Sequence, residues 1–176
     1  MGGAGLAEPV VSMSEAQAYV RIETGEEEAV LAGLVRTASA VCESFLGQVV
    51  IARDFAVDLP AGRGWQRLPV EPVRAISLVE SVGGDGVPKA LSADAYAVDV
   101  DAGGAGWVRA TSAAGTRLRE SGTAGLAASQ NDTPEPIRQG VLRLVAHLFA
   151  ARDGDGGAPP AAVTALWRPY RKARLA

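Results

Sequence analysis

Two residues in this 176-residue chain have the chemistry of a nucleophile and its base: its one cysteine, Cys42, and its one histidine, His147. Catalysis by such a pair requires both side chains in one cleft. Cys42 falls within an apolar stripe at helical spacing, which assigns it to a buried hydrophobic position. His147 falls at the polar edge of another helical pattern, one turn after Arg143, which makes it a solvated or locally bonded imidazole. One His and one Cys cannot assemble a zinc site of common spacing. Asp99 and Asp101 share one side of a strand pattern, where paired carboxylates can do acid–base work or hold a hard cation. They run into Ala102-Gly103-Gly104, so the pattern reads as a strand end with turn-forming aspartates. Asp153-Gly154-Asp155-Gly156 begins like a calcium loop but lacks the third acidic position and the terminal bidentate glutamate.

The glycine-rich stretches do not form phosphate cradles. No G-x-x-x-x-G-K-[ST] is present. Gly83, Gly84 and Gly86 sit between strand patterns, where no helix N-terminus would face a phosphate. The nucleophile elbow G-x-S-x-G is also missing. Titratable groups therefore do not converge as an active site requires, and the expectation is no enzyme, no metal and no cofactor. One cluster remains. Arg168, Arg171, Lys172 and Arg174 make a basic end, and Trp167 and Tyr170 are interleaved with it. Cations alone can touch phosphates or complement a helix dipole. Aromatics beside arginines are the commonest interface anchors, so docking on a protein surface is the favoured reading. The alternative is a nucleic-acid-binding packaging or regulatory factor that uses this basic tail.

Composition agrees with a packed scaffold. Hydrophobic residues make up 48% of the chain and aromatics 5%, so aliphatics and alanine must build the core. The net charge of -3 argues against a general nucleic-acid binder. A lone cysteine rules out an internal disulfide and fits a reducing compartment. Met1 to Val11 has no basic residue and no apolar run of signal-peptide length. No run of about 18 consecutive apolar residues is present, and the expectation is a protein without a membrane partner.

These residues must be positioned by a single domain, 1–176. Residues 1–11 read as a flexible arm. Ser12-Met13-Ser14-Glu15 has the spacing of a capping box and predicts a helix from Met13 to about Val20. Glu26, Glu27 and Glu28 open a long helix through Leu46, closed by Gly47. Its apolar stripe is Val30, Leu31, Leu34, Val35, Ala38, Val41, Cys42, Phe45 and Leu46. The opposite face carries Ala29, Ala32, Gly33, Arg36, Ala40 and Glu43; its small residues suit either solvent or a neighbouring subunit. Residues 48–126 turn to strand patterns. Phe55, Val57 and Leu59 alternate, Val73 to Val82 is a second strand, and a glycine turn leads to Val87–Leu91. Tyr96, Val98 and Val100 alternate again; Trp107–Arg109 and Thr116–Arg119 are weaker, and 120–133 reads as a mobile loop. Segments 101–133 and 1–11 are expected to be ordered only by neighbours. Thr133 can cap a core helix over 134–153, with Ile137, Val141, Leu144, Val145 and Leu148 inward. Leu142 and Phe149 widen that face. A short helix from Ala161 to Trp167 and the basic tail occupy 161–176. The fold class is α+β: a helical core of three to four helices with an inserted strand-rich, antiparallel β region between the long helix and the C-terminal helices.

Four segments, in order, resemble the head–tail connector (adaptor) family of tailed phages, including phage-derived gene transfer agents. They are Val11-Ser12-Met13-Ser14-Glu15-Ala16-Gln17-Ala18-Tyr19-Val20-Arg21-Ile22, the acidic start and long helix through Ala40-Val41-Cys42-Glu43-Ser44-Phe45-Leu46-Gly47, Pro134-Glu135-Pro136-Ile137-Arg138-Gln139-Gly140-Val141-Leu142-Arg143-Leu144-Val145-Ala146-His147, and Val163-Thr164-Ala165-Leu166-Trp167-Arg168-Pro169-Tyr170-Arg171. The family's final strand ends in a T-A-G-Y-like turn; here Thr123-Ala124-Gly125-Leu126 stands in its place. The resemblance implies a structural subunit that forms a ring of about twelve copies. One face would bind the portal protein and the other a tail-proximal stopper or tail terminator, with translocating DNA in passive contact. It implies a place at the head–tail junction of a virion or phage-like particle, after synthesis in a bacterial cytoplasm. It also makes Trp167, Arg168, Tyr170, Arg171, Lys172 and Arg174 the candidates for portal docking.

Overall fold

The computed structural model describes residues 8–22, 25, 27–111, 115–151 and 158–172. The chain divides into two compact units: a β unit, 52–126, and a helical unit built from 8–51 and the chain from 127 onward. Strands are thus inserted between the second helix and the C-terminal helices, an α+β arrangement.

In the helical unit, Ser12 starts α1 (Met13–Val20) with a complete capping box. The Glu15 amide donates to the Ser12 hydroxyl at 3.2 Å, and the Ser12 amide donates to the Glu15 carboxylate at 3.0 Å. Glu15 also forms an ion pair with Arg138, which ties α1 to the core helix. Burial pushes the Glu15 carboxyl up; the Ser12 bonds and the Arg138 charge outweigh it and hold the group below its ordinary value. Just before α1 the chain is not a free arm. Val10 and Val11 are buried, and the Val10 amide donates to Ser39 Oγ at 3.0 Å. Two apolar side chains sealed from water fix this stretch; residues 1–7 lie outside the described residues.

The long helix α2 is Glu28–Leu46, and Glu26 lies outside the described residues. Its buried line is Leu31, Val35, Ala38, Ser39, Cys42 and Leu46, narrower than the periodicity predicts; Val30 is 48% exposed. By length and mean hydropathy, 1.4 over its window, α2 is apolar enough to cross a membrane, although it carries Arg36 and Glu43 and has no long uninterrupted apolar run. Here its inner line packs on α3 (Glu135–Ala150) and α4 (Ala161–Trp167). Glu43 is drawn off the outer face, accepting from the Val50 amide at 2.8 Å. Gly47 closes α2 at φ +68°, a left-handed conformation suited to glycine. Thr133 does not cap α3. Its hydroxyl turns back to the Ser129 carbonyl at 3.1 Å, and Pro134 occupies the cap position without a side-chain bond. From α3, Ile137, Gly140, Val141, Leu144 and Val145 enter the core, while Leu142, Leu148 and Phe149 are half-buried. A parallel bridge between Ile51 and Ala127, with the Ala127 amide donating to the Val50 carbonyl at 2.9 Å, joins the two chain segments of this unit.

The β unit holds two antiparallel sheets. One has the order β1–β7–β3–β4, where β1 is Arg53–Pro60, β3 Val73–Val82, β4 Pro88–Ala90 and β7 Arg117–Ala124. The other has the order β2–β6–β5, from Gln66–Arg67, Gly106–Ala110 and Tyr96–Val100. The sheets share a core of Leu68, Val73, Val79, Val108, Ala110 and Leu118. Phe55, Val57 and Leu59 alternate inward on β1, as their spacing predicts. The expected mobile loop from residue 120 is instead the body of β7, the strand lying between β1 and β3. Its inward positions are Leu118, Glu120, Gly122 and Ala124. Beyond it, Ser129 to Thr133 is folded by its own turns: the Thr133 amide donates to the Gln130 carbonyl, and Ser129 Oγ donates to Asp132 at 2.7 Å.

Candidate docking surface at the C-terminal segment

The chemical candidates separate on inspection. Cys42 is fully buried, and burial, reinforced by the neighbouring Glu43 charge, pushes its thiol up and away from the reactive thiolate. His147 is half-buried on α3, where its carbonyl accepts from the Ala151 amide at the helix end. Asp101 is a turn residue. Its Oδ1 accepts from the Gly103 and Ala105 amides at 2.8 and 2.9 Å, and its Oδ2 accepts from Trp107 Nε1 at 3.4 Å. Asp99 stands exposed in β5, opposite Trp107. The 83–86 turn closes with the Gly86 amide on the Gly83 carbonyl at 3.1 Å. Residues 153–156 lie outside the described residues. Among the described residues no three His, Cys, Asp or Glu side chains gather as a metal site.

The C-terminal segment is built from the core outward. Val163 and Trp167, one turn apart on α4, both point inward and are buried. Trp167 is 0% exposed; its Nε1 donates to the Ile137 carbonyl at 3.2 Å, and its ring tilts against Phe45 with centroids 5.7 Å apart. Gly140 makes this possible, because a Cβ there would lie 2.2 Å from Trp167 Nε1. The sequence expectation of Trp167 as a surface anchor thus meets a residue with no accessible surface. It serves as the internal bolt that fixes the segment behind it.

A single 3₁₀ turn, Arg168–Tyr170, follows. The segment then returns to the end of α2. Gln48 Nε2 donates to the Tyr170 carbonyl at 2.6 Å, and the Lys172 amide donates to the Leu46 carbonyl at 2.9 Å. The Arg171 guanidinium lies over the Phe45 ring at 5.4 Å from its centroid, a cation–π contact. Arg168 and Arg171 are exposed, and Tyr170 and Lys172 are half-buried; Arg174 lies outside the described residues. Four of the six sequence candidates therefore share one short, backbone-anchored stretch that offers two exposed guanidinium groups. Gln48, Phe45 and Gly140, which hold the segment, were not singled out as site residues. Gly140 within an otherwise strong helix pattern was the available signal, since a glycine there marks a close approach.

No protein-family profile matches the sequence, and no curated protein matches it. Solved structures do. The chain is similar to a chain in the neck of an empty gene transfer agent particle computed with C6 symmetry, at 28% identity and a TM-score of 0.78, covering 99% of this chain and 96% of that one. It is similar to a chain in the virion of a native gene transfer agent particle, at 27% identity and a TM-score of 0.76, over 99% and 96% of the two chains. It is also similar to a chain in the neck of a native gene transfer agent particle computed with C12 symmetry, at 26% identity and a TM-score of 0.77, over 100% and 97%. The likeness runs through helices, inserted sheets and C-terminal segment alike, and it supports a head–tail adaptor-like family for a chain that resembles gene transfer agent neck and virion components.

Proposed function

We propose that the protein is a non-enzymatic adaptor subunit at the head–tail junction, assembling as a ring of about twelve copies that gives DNA a passage. The observation that carries this is the end-to-end similarity to neck chains, one of them in a neck computed with C12 symmetry. In this reading one face of the ring binds the portal and the other a tail-proximal stopper or terminator. The anchored stretch with Arg168, Tyr170, Arg171 and Lys172, continued by Arg174, meets the portal, and Trp167 holds it in place from within. A net charge of -3 per copy suits a channel that must not retain a moving polyanion.

Electron microscopy of the particle from the source bacterium, together with mixing of purified full-length protein and portal, tests the reading. The expected result is a ring of this fold between portal and tail. Replacing Arg168 and Arg171 by glutamate is expected to abolish portal association while the circular dichroism spectrum stays unchanged. A particle whose head–tail junction contains no copy of this fold would overturn the proposal.

A further inference from the structure

Glu120 stands at the middle of β7, between Val57 of β1 and Val79 of β3, and cross-strand partners share a face. It is 0% exposed, and among the described residues neither carboxylate oxygen has a hydrogen-bond partner. The other inward residues of its strand are Leu118, Gly122 and Ala124. A carboxyl in such a place destabilises the fold in either protonation state, and far more when charged. A leucine there would carry no such penalty.

Among the described residues no neighbouring positive charge compensates it. On the outer face of the sheet, Asp58, Arg119 and Glu80 lie side by side across β1, β7 and β3, with Arg119 Nε donating to Asp58 at 2.7 Å. Arg117 also pairs with Asp58, and Asp54 lies on that outer face. Arg53 stands opposite Ala124 at the far end of the β1–β7 pair, and Arg74 reaches the Gly125 carbonyl. From the second sheet, Arg109 is stacked on Trp65, Arg67 is paired with Glu71, and Asp99 is exposed. From that sheet Tyr96 packs on the shared core. Burial therefore pushes the Glu120 carboxyl up to about 7; its own amide tempers the shift without reaching hydrogen-bond geometry, and the Asp58 charge adds to it.

We propose that Glu120 is a proton-sensitive clamp: the β unit is held most tightly while this carboxyl is neutral, and its ionisation loosens β7 from β1 or β3, raising the population of the parted form. Parting would hydrate the carboxylate and uncover strand edges able to pair with another chain. Nothing in this inference depends on the adaptor reading, so either can fail without the other.

The sign follows from proton counting. Between about 4.5 and about 7 the packed unit holds one proton more than the open one, so its stability falls as pH rises through that window and is level above it. Hydrogen exchange of the full-length protein, corrected for intrinsic exchange, reads this directly at the β1, β3 and β7 amides. The opening constant is expected to rise about tenfold per pH unit across the window in the native chain. In Glu120→Gln that component of the slope is lost. Equal slopes in the two proteins overturn the proposal. Independently of any variant, the carboxyl carbon resonance of Glu120 is expected to titrate near 7, and titration at the ordinary glutamate value overturns it as well.

Discussion

At the scale of single residues, the contact between Gly140 and Trp167 decides how the C-terminal segment is held. The indole occupies the space where a side chain at 140 would begin, 2.2 Å from the missing Cβ. Gly140→Ala is therefore expected to expel Trp167 or deform α3. Its cost is expected to be about 1–3 kcal/mol, the range for overpacked cores, read as a lowered midpoint in urea unfolding. The gain in helix propensity from glycine to alanine, about 1 kcal/mol, opposes this, so the test is sharp: a stabilised variant would mean that the indole has other room. The sequence hid the role of Trp167 because tryptophan beside arginines has the composition of an interface. The spacing Val163–Trp167 on a short helix carried the opposite message, and burial followed the spacing. Cys42 was legible for the same reason, since its place in the α2 stripe is its place in the core.

At the scale of elements, the helices were readable from caps and period. α1 begins and ends where its capping box and apolar run say it should, and the Ser12–Glu15 pair does double service by presenting Glu15 to Arg138. Ser12→Ala removes one half of that box. It is expected to cost about 0.5–2 kcal/mol, measured as increased amide exchange across α1 and a lowered unfolding midpoint. The β7 strand was not readable. Of its four inward positions, 118, 120, 122 and 124, one holds a carboxylate, one a glycine and one an alanine, so the alternation that identifies a half-buried strand is blank at three of four sites. Cross-strand pairing on both sides makes it a strand regardless. The glutamate that conceals the strand, by standing where the alternation calls for an apolar residue, is the same one on which the proposed proton sensitivity rests.

For the whole molecule, the order of elements was legible while its division was not. A run of helix, strands and helix reads as one domain with an insertion, but nothing in the composition between Gln48 and Leu126 announces that the insertion builds a core of its own from Leu68, Val79, Val108 and Leu118. The bridge between Ile51 and Ala127 then acquires a further meaning. The chain departs toward the β unit and comes back at points already held together by backbone bonds of the helical unit. What lies between is therefore expected to behave as a cassette, its loop lengths, strand number and surface open to change without altering the path of α1 to α4. Replacing 52–126 by a glycine–serine turn of about four residues is accordingly expected to leave a helical protein that unfolds cooperatively, seen as a single thermal transition in circular dichroism at 222 nm. A chain that collapses without that transition would assign the β unit a part in folding its host.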